Sequence, residues 1–135
     1  MYIHEVKQRV CYADTDQMGY VYYGNYARFF EIARVEALRN LGFSYKELEL
    51  SGIMMPVYEY TTKYLQPATY DDLLTVKVVV STLPKVRMVF EYEIYNEQKI
   101  LLTTGNTTLV FINQQTKKPC PVPQALLHKL KSYFN

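Results

Sequence analysis

Several residue types and patterns are scarce in this 135-residue chain, and each scarcity excludes a class of protein. Tryptophan is absent, and the two cysteines, Cys11 and Cys120, are too few for a disulfide framework and have no metal-ligand spacing. The net charge is only +2, and no basic block occurs, so nothing indicates a nucleic-acid binder. No apolar run approaches the ~20 residues that cross a membrane, and the N-terminus has no apolar signal region.

These absences lead to a set of expectations. We expect a cytoplasmic protein in a reducing compartment, with no membrane span, no metal site and no cofactor. Hydrophobic residues make up 49% of the chain, which is enough for the core of one domain over residues 1–135. The 14 tyrosines are typical of half-buried strand faces and of subunit interfaces, because tyrosine combines an apolar ring with a polar tip.

A helix is predicted over residues 21–41, because its apolar residues recur at spacings of three and four. They are Tyr22, Tyr26, Phe29, Phe30, Ala33, Ala37, Leu38 and Leu41. Gly42 is a stop signal for this helix, and Ser44 with Glu47 resembles the capping box of a short helical turn. A last helix is predicted over residues 124–134.

Five strands are predicted, and Gly105 is a candidate bulge in the last of them. Their ranges are 6–12, 55–64, 73–82, 86–95 and 100–112. Short loops between the last four favour antiparallel neighbours, and the long helix must cover one sheet face. The predicted fold class is α+β, with a curved antiparallel five-stranded sheet wrapped around one central helix. Its uncovered edges predict a homodimer or a larger homo-oligomer.

The segment from Tyr12 to Tyr26 holds two carboxylates, Asp14 and Asp16, on a turn just before the long helix. A carboxylate at a helix N-terminus faces free N–H donors and the positive end of the helix dipole. The same donors can stabilise an oxyanion, so the turn is a candidate active site. Residue chemistry alone equally allows a helix cap or an Asx turn.

The chain resembles the hotdog-fold acyl-CoA thioesterases of the 4-hydroxybenzoyl-CoA thioesterase family, in particular the small bacterial ones associated with Tol-Pal genes. The matching residues are Tyr12-Ala13-Asp14-Thr15-Asp16, Gly19, Tyr22-Tyr23, Tyr26, Phe30-Glu31, Ala33-Arg34, Pro67-Ala68 and Tyr70-Asp71-Asp72. The resemblance implies hydrolysis of an acyl-CoA thioester to a carboxylic acid and coenzyme A, which enters only as part of the substrate.

The resemblance also assigns roles within the turn. Asp16 corresponds to the catalytic carboxylate, acting as nucleophile or as general base for water. The backbone N–H of Tyr23 corresponds to the oxyanion donor, and Gly19 permits the tight backbone path. Asp14 is expected to have a structural role, as a turn or cap residue. Tyr20 departs from the residues common in relatives, which leaves the pocket shape and the acyl preference open.

Residues outside the turn receive weaker assignments. Lys85 and Arg87 lie on the hairpin where a relative binds the coenzyme A phosphates, although a hairpin lysine is more often simply solvated. Glu31 is the reserve catalytic carboxylate, because a related hotdog branch uses a helix glutamate. Otherwise Glu31 and Arg34 are expected to form an ion pair on the helix or a subunit contact.

Other functions stay open at this point. One is a thioesterase for acyl groups on acyl carrier protein, and another is an acyl-CoA binding module without catalysis, against which Asp16 argues. A hotdog dehydratase needs a histidine in the site, and neither His4 nor His128 lies near the turn in sequence.

Overall fold

The computed structural model describes residues 1–135 and contains three α-helices and seven strands. The helices are α1 (Tyr26–Asn40), α2 (Tyr45–Leu50) and α3 (Gln124–Lys131). The strands are β1 (Tyr2–Arg9), β2 (Ile53–Met54), β3 (Val57–Tyr64), β4 (Leu73–Val80), β5 (Arg87–Tyr95), β6 (Leu101–Val110) and β7 (Ile112–Asn113). Two 3-10 turns, Tyr12–Asp14 and Tyr23–Asn25, lie between β1 and α1.

Five strands form one antiparallel sheet in the order β1-β4-β5-β6-β3. α1 packs on one face of this sheet, against β1 and β4 among others. The predicted α+β fold, a five-stranded antiparallel sheet around one long helix, is therefore confirmed. The small β2–β7 pair was not predicted, because two-residue strands carry no periodic signal.

The core forms where α1 meets the sheet. Alternate residues of β4 and β5 are buried, as the period of a strand requires, and α1 presents Phe29 and Phe30 to them. A fully buried side chain of this size contributes roughly 1.5–3 kcal/mol of hydrophobic free energy. The core therefore holds α1 in a fixed position on the sheet, and with it the turn that precedes α1.

Gly105 allows α1 to pack closely on β6. It is not a bulge, so the predicted bulge at Gly105 is wrong. Gly105 pairs regularly with Tyr92 on one side and Thr62 on the other. A Cβ at this position would lie 2.7 Å from Cε2 of Phe30. The absence of a side chain is what allows the Phe30 ring to approach β6.

The predicted boundaries near the turn also need correction. β1 ends at Arg9 and does not reach Tyr12, because the 3-10 turn begins there. α1 begins at Tyr26 and not at residue 21. Val21 and Tyr22 are held extended, since Val21 N–H donates to the Ala68 carbonyl at 2.8 Å and Tyr22 N–H donates to the Asp14 carbonyl at 2.8 Å, and residues 23–25 form a 3-10 turn.

The edge strand β3 has a free side. It pairs only with β6, and nearly all of its residues are exposed, including Tyr58 and Tyr60. An exposed edge with large aromatic side chains is the surface that a second chain covers most readily. The homo-oligomer stays a prediction. No helix of the chain is long and apolar enough to span a bilayer.

Candidate active site

Asp14 is the structural centre of the turn. The residue is 3% exposed, and its carboxylate forms an ion pair with Arg28 and accepts a hydrogen bond from Cys11 N–H at 2.9 Å. Its carbonyl accepts from the Asn25 side-chain amide at 2.9 Å. Each of these bonds ties the turn to itself or to α1, which agrees with the structural role expected for Asp14.

Asp16 lies at the surface of the same turn. Its carboxylate accepts a hydrogen bond from Met18 N–H at 2.9 Å, which is an Asx turn, and no cation lies within ion-pair distance. Gly19 closes the turn with φ +82°, and its N–H donates to the Asp16 carbonyl at 3.0 Å. The Asp16 carboxylate does not cap α1, so most of its hydrogen-bonding capacity is free.

The Tyr23 amide lies at the first position of the 3-10 turn that runs directly into α1. Its N–H makes no hydrogen bond in the turn and loop network around it. The first N–H groups of a helical segment have no partner inside that segment, and they carry the positive end of its dipole. The Tyr23 N–H is therefore a free donor for an anionic oxygen.

A cleft of 290 Å³ is lined by both Asp16 and Tyr23 and is bordered mainly by apolar residues. Its lining consists of Asp16, Met18, Tyr20, Val21, Tyr23, Tyr26, Tyr64, Leu65, Gln66 and Pro67. The predicted residues Asp16, Tyr20 and Tyr23 thus share one cleft. Sequence reasoning did not assign the β3 side of the cleft, from Tyr64 to Pro67, because that segment reads as an ordinary strand end.

Tyrosine side chains give the cleft its aromatic character. Burial raises the pKa of the Tyr26 phenol, and a backbone hydrogen bond with Ala68 offsets part of that rise. On β3, burial raises the pKa of Tyr60 to about 12, and the neighbouring Tyr64 adds to the rise. These phenols are neutral at physiological pH and act as hydrogen-bonding groups at the edges of apolar rings.

Lys85 and Arg87 are exposed and lie away from this cleft. Arg87 pairs with Val110 at one end of β6, whereas Tyr64 pairs with Thr103 seven residues earlier. At 3.3 Å per residue the two ends are about 23 Å apart along the strand. The guanidinium of Arg87 instead covers the Tyr58 ring at 4.5 Å from its centroid. A single chain therefore does not bring Lys85 and Arg87 to Asp16.

The expected ion pair between Glu31 and Arg34 is not formed. Glu31 is exposed, whereas the Arg34 side chain is buried beneath Tyr45, whose hydroxyl accepts from Arg34 Nε at 3.0 Å. Burial lowers the pKa of Arg34, but the Tyr45 and Tyr92 hydroxyls beside it outweigh burial, and the pKa is raised. The short spacing in sequence was misleading, because Arg34 points toward the sheet.

A larger hollow of 450 Å³ opens on the sheet face away from α1. Two of its charged side chains already have partners: Lys7 donates to Thr75 at 2.6 Å, and Lys77 pairs with Glu93 at 3.5 Å. Only two of its nine lining residues are hydrophobic, so it offers little apolar surface to a ligand. The smaller cleft at Asp16 is the better candidate for chemistry.

Comparison with known proteins identifies the family of the chain. The sequence model of the thioesterase-like superfamily matches residues 10–130. The acyl-CoA thioester hydrolase YbgC of Escherichia coli O6:H1 is 32% identical over 123 residues, which cover 91% of this chain and 92% of that protein. A 1,4-dihydroxy-2-naphthoyl-CoA hydrolase of Thermosynechococcus vestitus is 29% identical over 131 residues, which cover 96% and 90% of the two chains.

Solved structures give the same result. The DHNA-CoA thioesterase of Staphylococcus aureus superposes with a TM-score of 0.90 at 37% identity, covering 98% of this chain and 89% of its own. Both the predicted fold and the predicted class of thioester hydrolase are confirmed at the level of the family. The chain belongs to the thioesterase-like superfamily of hotdog-fold proteins.

Proposed function

We propose that this protein hydrolyses acyl-CoA thioesters to a carboxylic acid and coenzyme A, with Asp16 as the reacting carboxylate. One observation carries the proposal: Asp16, with a largely unpartnered carboxylate, and Tyr23, with a free backbone N–H, line the same mainly apolar cleft. Named relatives that are acyl-CoA hydrolases support the choice of substrate class.

The chemistry needs both groups. Either the Asp16 carboxylate adds to the thioester carbon and coenzyme A leaves as a thiolate, after which water hydrolyses the anhydride, or Asp16 takes a proton from the water that adds directly. In both routes the carbonyl oxygen becomes negative. The Tyr23 N–H then donates to that oxygen, with the dipole of α1 behind it.

The proposal includes a second copy of the chain. Antiparallel pairing of two β3 strands would place the start of one strand beside the end of the other. Lys85 and Arg87 of one protomer would then lie near the Asp16 cleft of its partner, where they would contact the phosphates of coenzyme A. The exposed edge and the separation of the two sites within one chain support this arrangement.

The test is a free-thiol release assay with short aliphatic, long aliphatic and aromatic acyl-CoA esters, using wild type and Asp16→Asn in parallel. Asp16→Asn is expected to keep the fold and to lower kcat by ~10²–10⁴, the usual scale for loss of an acid–base group. Activity within a few-fold of wild type would remove Asp16 from the mechanism. An acyl carrier protein carrying the same acyl group is the matched comparison for substrate class.

A further inference from the structure

Residues 67–72 lie in the loop between β3 and β4, and they contact the turn between β1 and α1 on both of its sides. Where the chain enters the turn, Val10 N–H donates to the Asp72 carbonyl at 2.9 Å. Where the chain leaves the turn, Tyr20 pairs with Thr69 in an isolated antiparallel bridge. The 67–72 loop therefore supports the turn at both ends.

Tyr70, in the middle of the 67–72 loop, adds a side-chain contact to this support. Its ring stacks on the ring of Tyr12, with centroids 3.8 Å apart and ring planes 9° from parallel. The Tyr12 carbonyl accepts hydrogen bonds from the N–H of Thr15 at 3.0 Å and from its hydroxyl at 2.8 Å. Thr15 directly precedes Asp16 in the chain. The stack is therefore linked to the reacting carboxylate through a single hydrogen-bonded residue.

The stack lies outside the core of the protein. Tyr12 is 73% exposed and Tyr70 is 45% exposed, and neither belongs to the cluster of buried residues between α1 and the sheet. Hydrophobic stabilisation is roughly proportional to the apolar area removed from water, so two rings this exposed contribute little of it. The geometry of the stack instead restricts where the turn can lie relative to the loop.

The backbone that carries Tyr70 is itself fixed. The next residue, Asp71, has φ +69°, a left-handed conformation that non-glycine residues adopt rarely. Its N–H donates to the Val10 carbonyl at 3.0 Å, and its carbonyl accepts from Arg9 Nη1 at 2.7 Å. Such conformations persist where the surrounding structure holds them, and they are frequent at functional sites. These bonds to the end of β1 hold Tyr70 in place beside the turn.

We propose that Tyr70, through its stack on Tyr12, is a positioning residue for the Asp16 carboxylate. The proposal rests on the thioesterase function proposed above and adds a residue on which the geometry of the reaction depends. The Asp16 carboxylate accepts one hydrogen bond, from Met18 N–H inside the same turn, so its direction follows the backbone of the turn. Displacement of a reacting group by about 1 Å lowers a rate by roughly 10²-fold.

The main variant is Tyr70→Ala, measured by thiol release from the acyl-CoA ester that wild type hydrolyses fastest. Loss of the ring should lower kcat by about 10- to 100-fold, because the turn is then free to move and Asp16 is less often aligned with the thioester. KM should stay within about three-fold of wild type, since neither Tyr12 nor Tyr70 lines the cleft. Tyr70→Phe keeps the stacked ring and should keep kcat within about two-fold of wild type. An unchanged kcat in Tyr70→Ala, or an equal loss in Tyr70→Phe, would overturn the proposal.

Tyr133→Ala is the matched control for the loss of an exposed aromatic contact. Tyr133 is 44% exposed and packs edge-on against Tyr2, with centroids 4.8 Å apart. The Tyr2 hydroxyl donates to the Ala37 carbonyl at 2.6 Å, which places this pair near the C-terminal end of α1, away from the turn. Tyr133→Ala should leave kcat within about two-fold of wild type, as expected of a surface change distant from the site. A loss of kcat equal to that of Tyr70→Ala would overturn the specific role of Tyr70.

A double variant separates the positioning of Asp16 from a general structural role. Because Tyr70 acts through the Asp16 carboxylate, Tyr70→Ala should not lower the residual kcat of Asp16→Asn any further. Effects of residues that act as a unit are not additive. A further loss of about 10-fold or more in the double variant would show independent effects and would overturn the proposal.

Tyr70→Leu keeps the test decisive if Tyr70→Ala does not fold, because leucine retains apolar bulk and removes the stacked ring. Tyr70→Leu should reproduce the fall in kcat, and wild-type kcat in this variant would overturn the proposal. The two proposals fail separately. Asp16-dependent hydrolysis that is the same with and without the Tyr70 ring would overturn only the role of Tyr70, whereas no hydrolysis by wild type would overturn the thioesterase function as well.

Discussion

The ring of Tyr26, at the first turn of α1, packs edge-on against Tyr64 near the end of β3, with centroids 5.2 Å apart. Tyr26 is buried and Tyr64 is exposed, so the pair forms the boundary between the core and the cleft. One wall of the cleft therefore belongs to a strand whose outer edge is free in a single chain. The integrity of the site and the pairing of β3 are expected to depend on each other.

Substitutions of the two turn aspartates should affect different properties: the change at Asp14 should lower stability, and the change at Asp16 should lower activity. Asp14→Asn removes the charge that Arg28 and the Cys11 N–H contact, and it should lower the free energy of unfolding by about 1–2 kcal/mol, since half-exposed Arg28 is screened by water. Asp16→Asn should leave the free energy of unfolding within about 0.5 kcal/mol of wild type, as for most surface positions. Urea unfolding and thiol release, measured on both variants, check this prediction. Unchanged stability in Asp14→Asn, with a loss of stability in Asp16→Asn, would contradict the structural role of Asp14.

Lys85→Ala and Arg87→Ala should raise KM for coenzyme A esters more than they lower kcat, because they would contact a part of the substrate that does not react. The increase in KM should be larger at low salt, where exposed charges are less screened. Lys46→Ala, at an exposed lysine of α2, is the control. An unchanged KM at low salt would remove Lys85 and Arg87 from substrate binding.

Mixed oligomers can show whether one site uses residues of two chains. Asp16→Asn protein mixed with the double variant Lys85→Ala/Arg87→Ala should form some mixed dimers with one complete site. Activity at low substrate concentration should then exceed that of either variant alone. Simple addition of the two separate activities would show that Asp16 acts with the basic residues of its own chain.

Gly105→Ala should destabilise the fold through a clash with Phe30. The new Cβ would lie 2.7 Å from Cε2 of Phe30 and 3.1 Å from the Thr61 carbonyl oxygen. Overpacking of this kind typically costs about 1–3 kcal/mol. Combining Gly105→Ala with Phe30→Leu should recover part of the loss in a double-mutant cycle. Strictly additive effects in urea unfolding would contradict a contact between the two residues.

The raised pKa of Tyr92 predicts that the protein loses stability at alkaline pH. Burial raises its pKa to about 12, opposed in part by Arg34 and Thr107, whereas an unfolded tyrosine titrates near 10. Between pH 10 and 12 the unfolded chain releases this proton and the folded chain keeps it, so stability falls as pH rises through that window. Below pH 10 both states are protonated, and this phenol adds no pH dependence.

The matched variants for this measurement are Tyr92→Phe and Tyr58→Phe. Tyr92→Phe should make the decline of the unfolding free energy between pH 10 and 12 shallower, by up to about 1.4 kcal/mol per pH unit. Tyr58→Phe, at an exposed tyrosine of β3, should leave the slope as in wild type. Equal slopes for wild type and Tyr92→Phe would show that Tyr92 titrates normally in the folded protein.

The spacing of apolar residues along the chain was sufficient to predict much of the fold. The alternation in β4 and β5 and the three- and four-residue spacing in α1 report burial directly, so those elements were predicted within a few residues. The first residue of α1 was predicted wrongly. Val21 and Tyr22 continue the apolar pattern of the helix, but their backbone hydrogen bonds to Ala68 and Asp14 hold them extended. The spacing of apolar residues alone does not distinguish a helical segment from an extended one at this point of the chain.

By itself, the sequence determined the family, the fold class and the turn in which Asp14, Asp16 and Gly19 lie, because those depend on residue types and short spacings. Only the tertiary structure decided that Asp14 is buried with Arg28 while Asp16 faces the cleft. The tertiary structure also separated Lys85 and Arg87 from that cleft and buried Arg34 against Tyr45. Burial and distance arise from how α1 and the strands pack, and neighbours in sequence do not encode that packing.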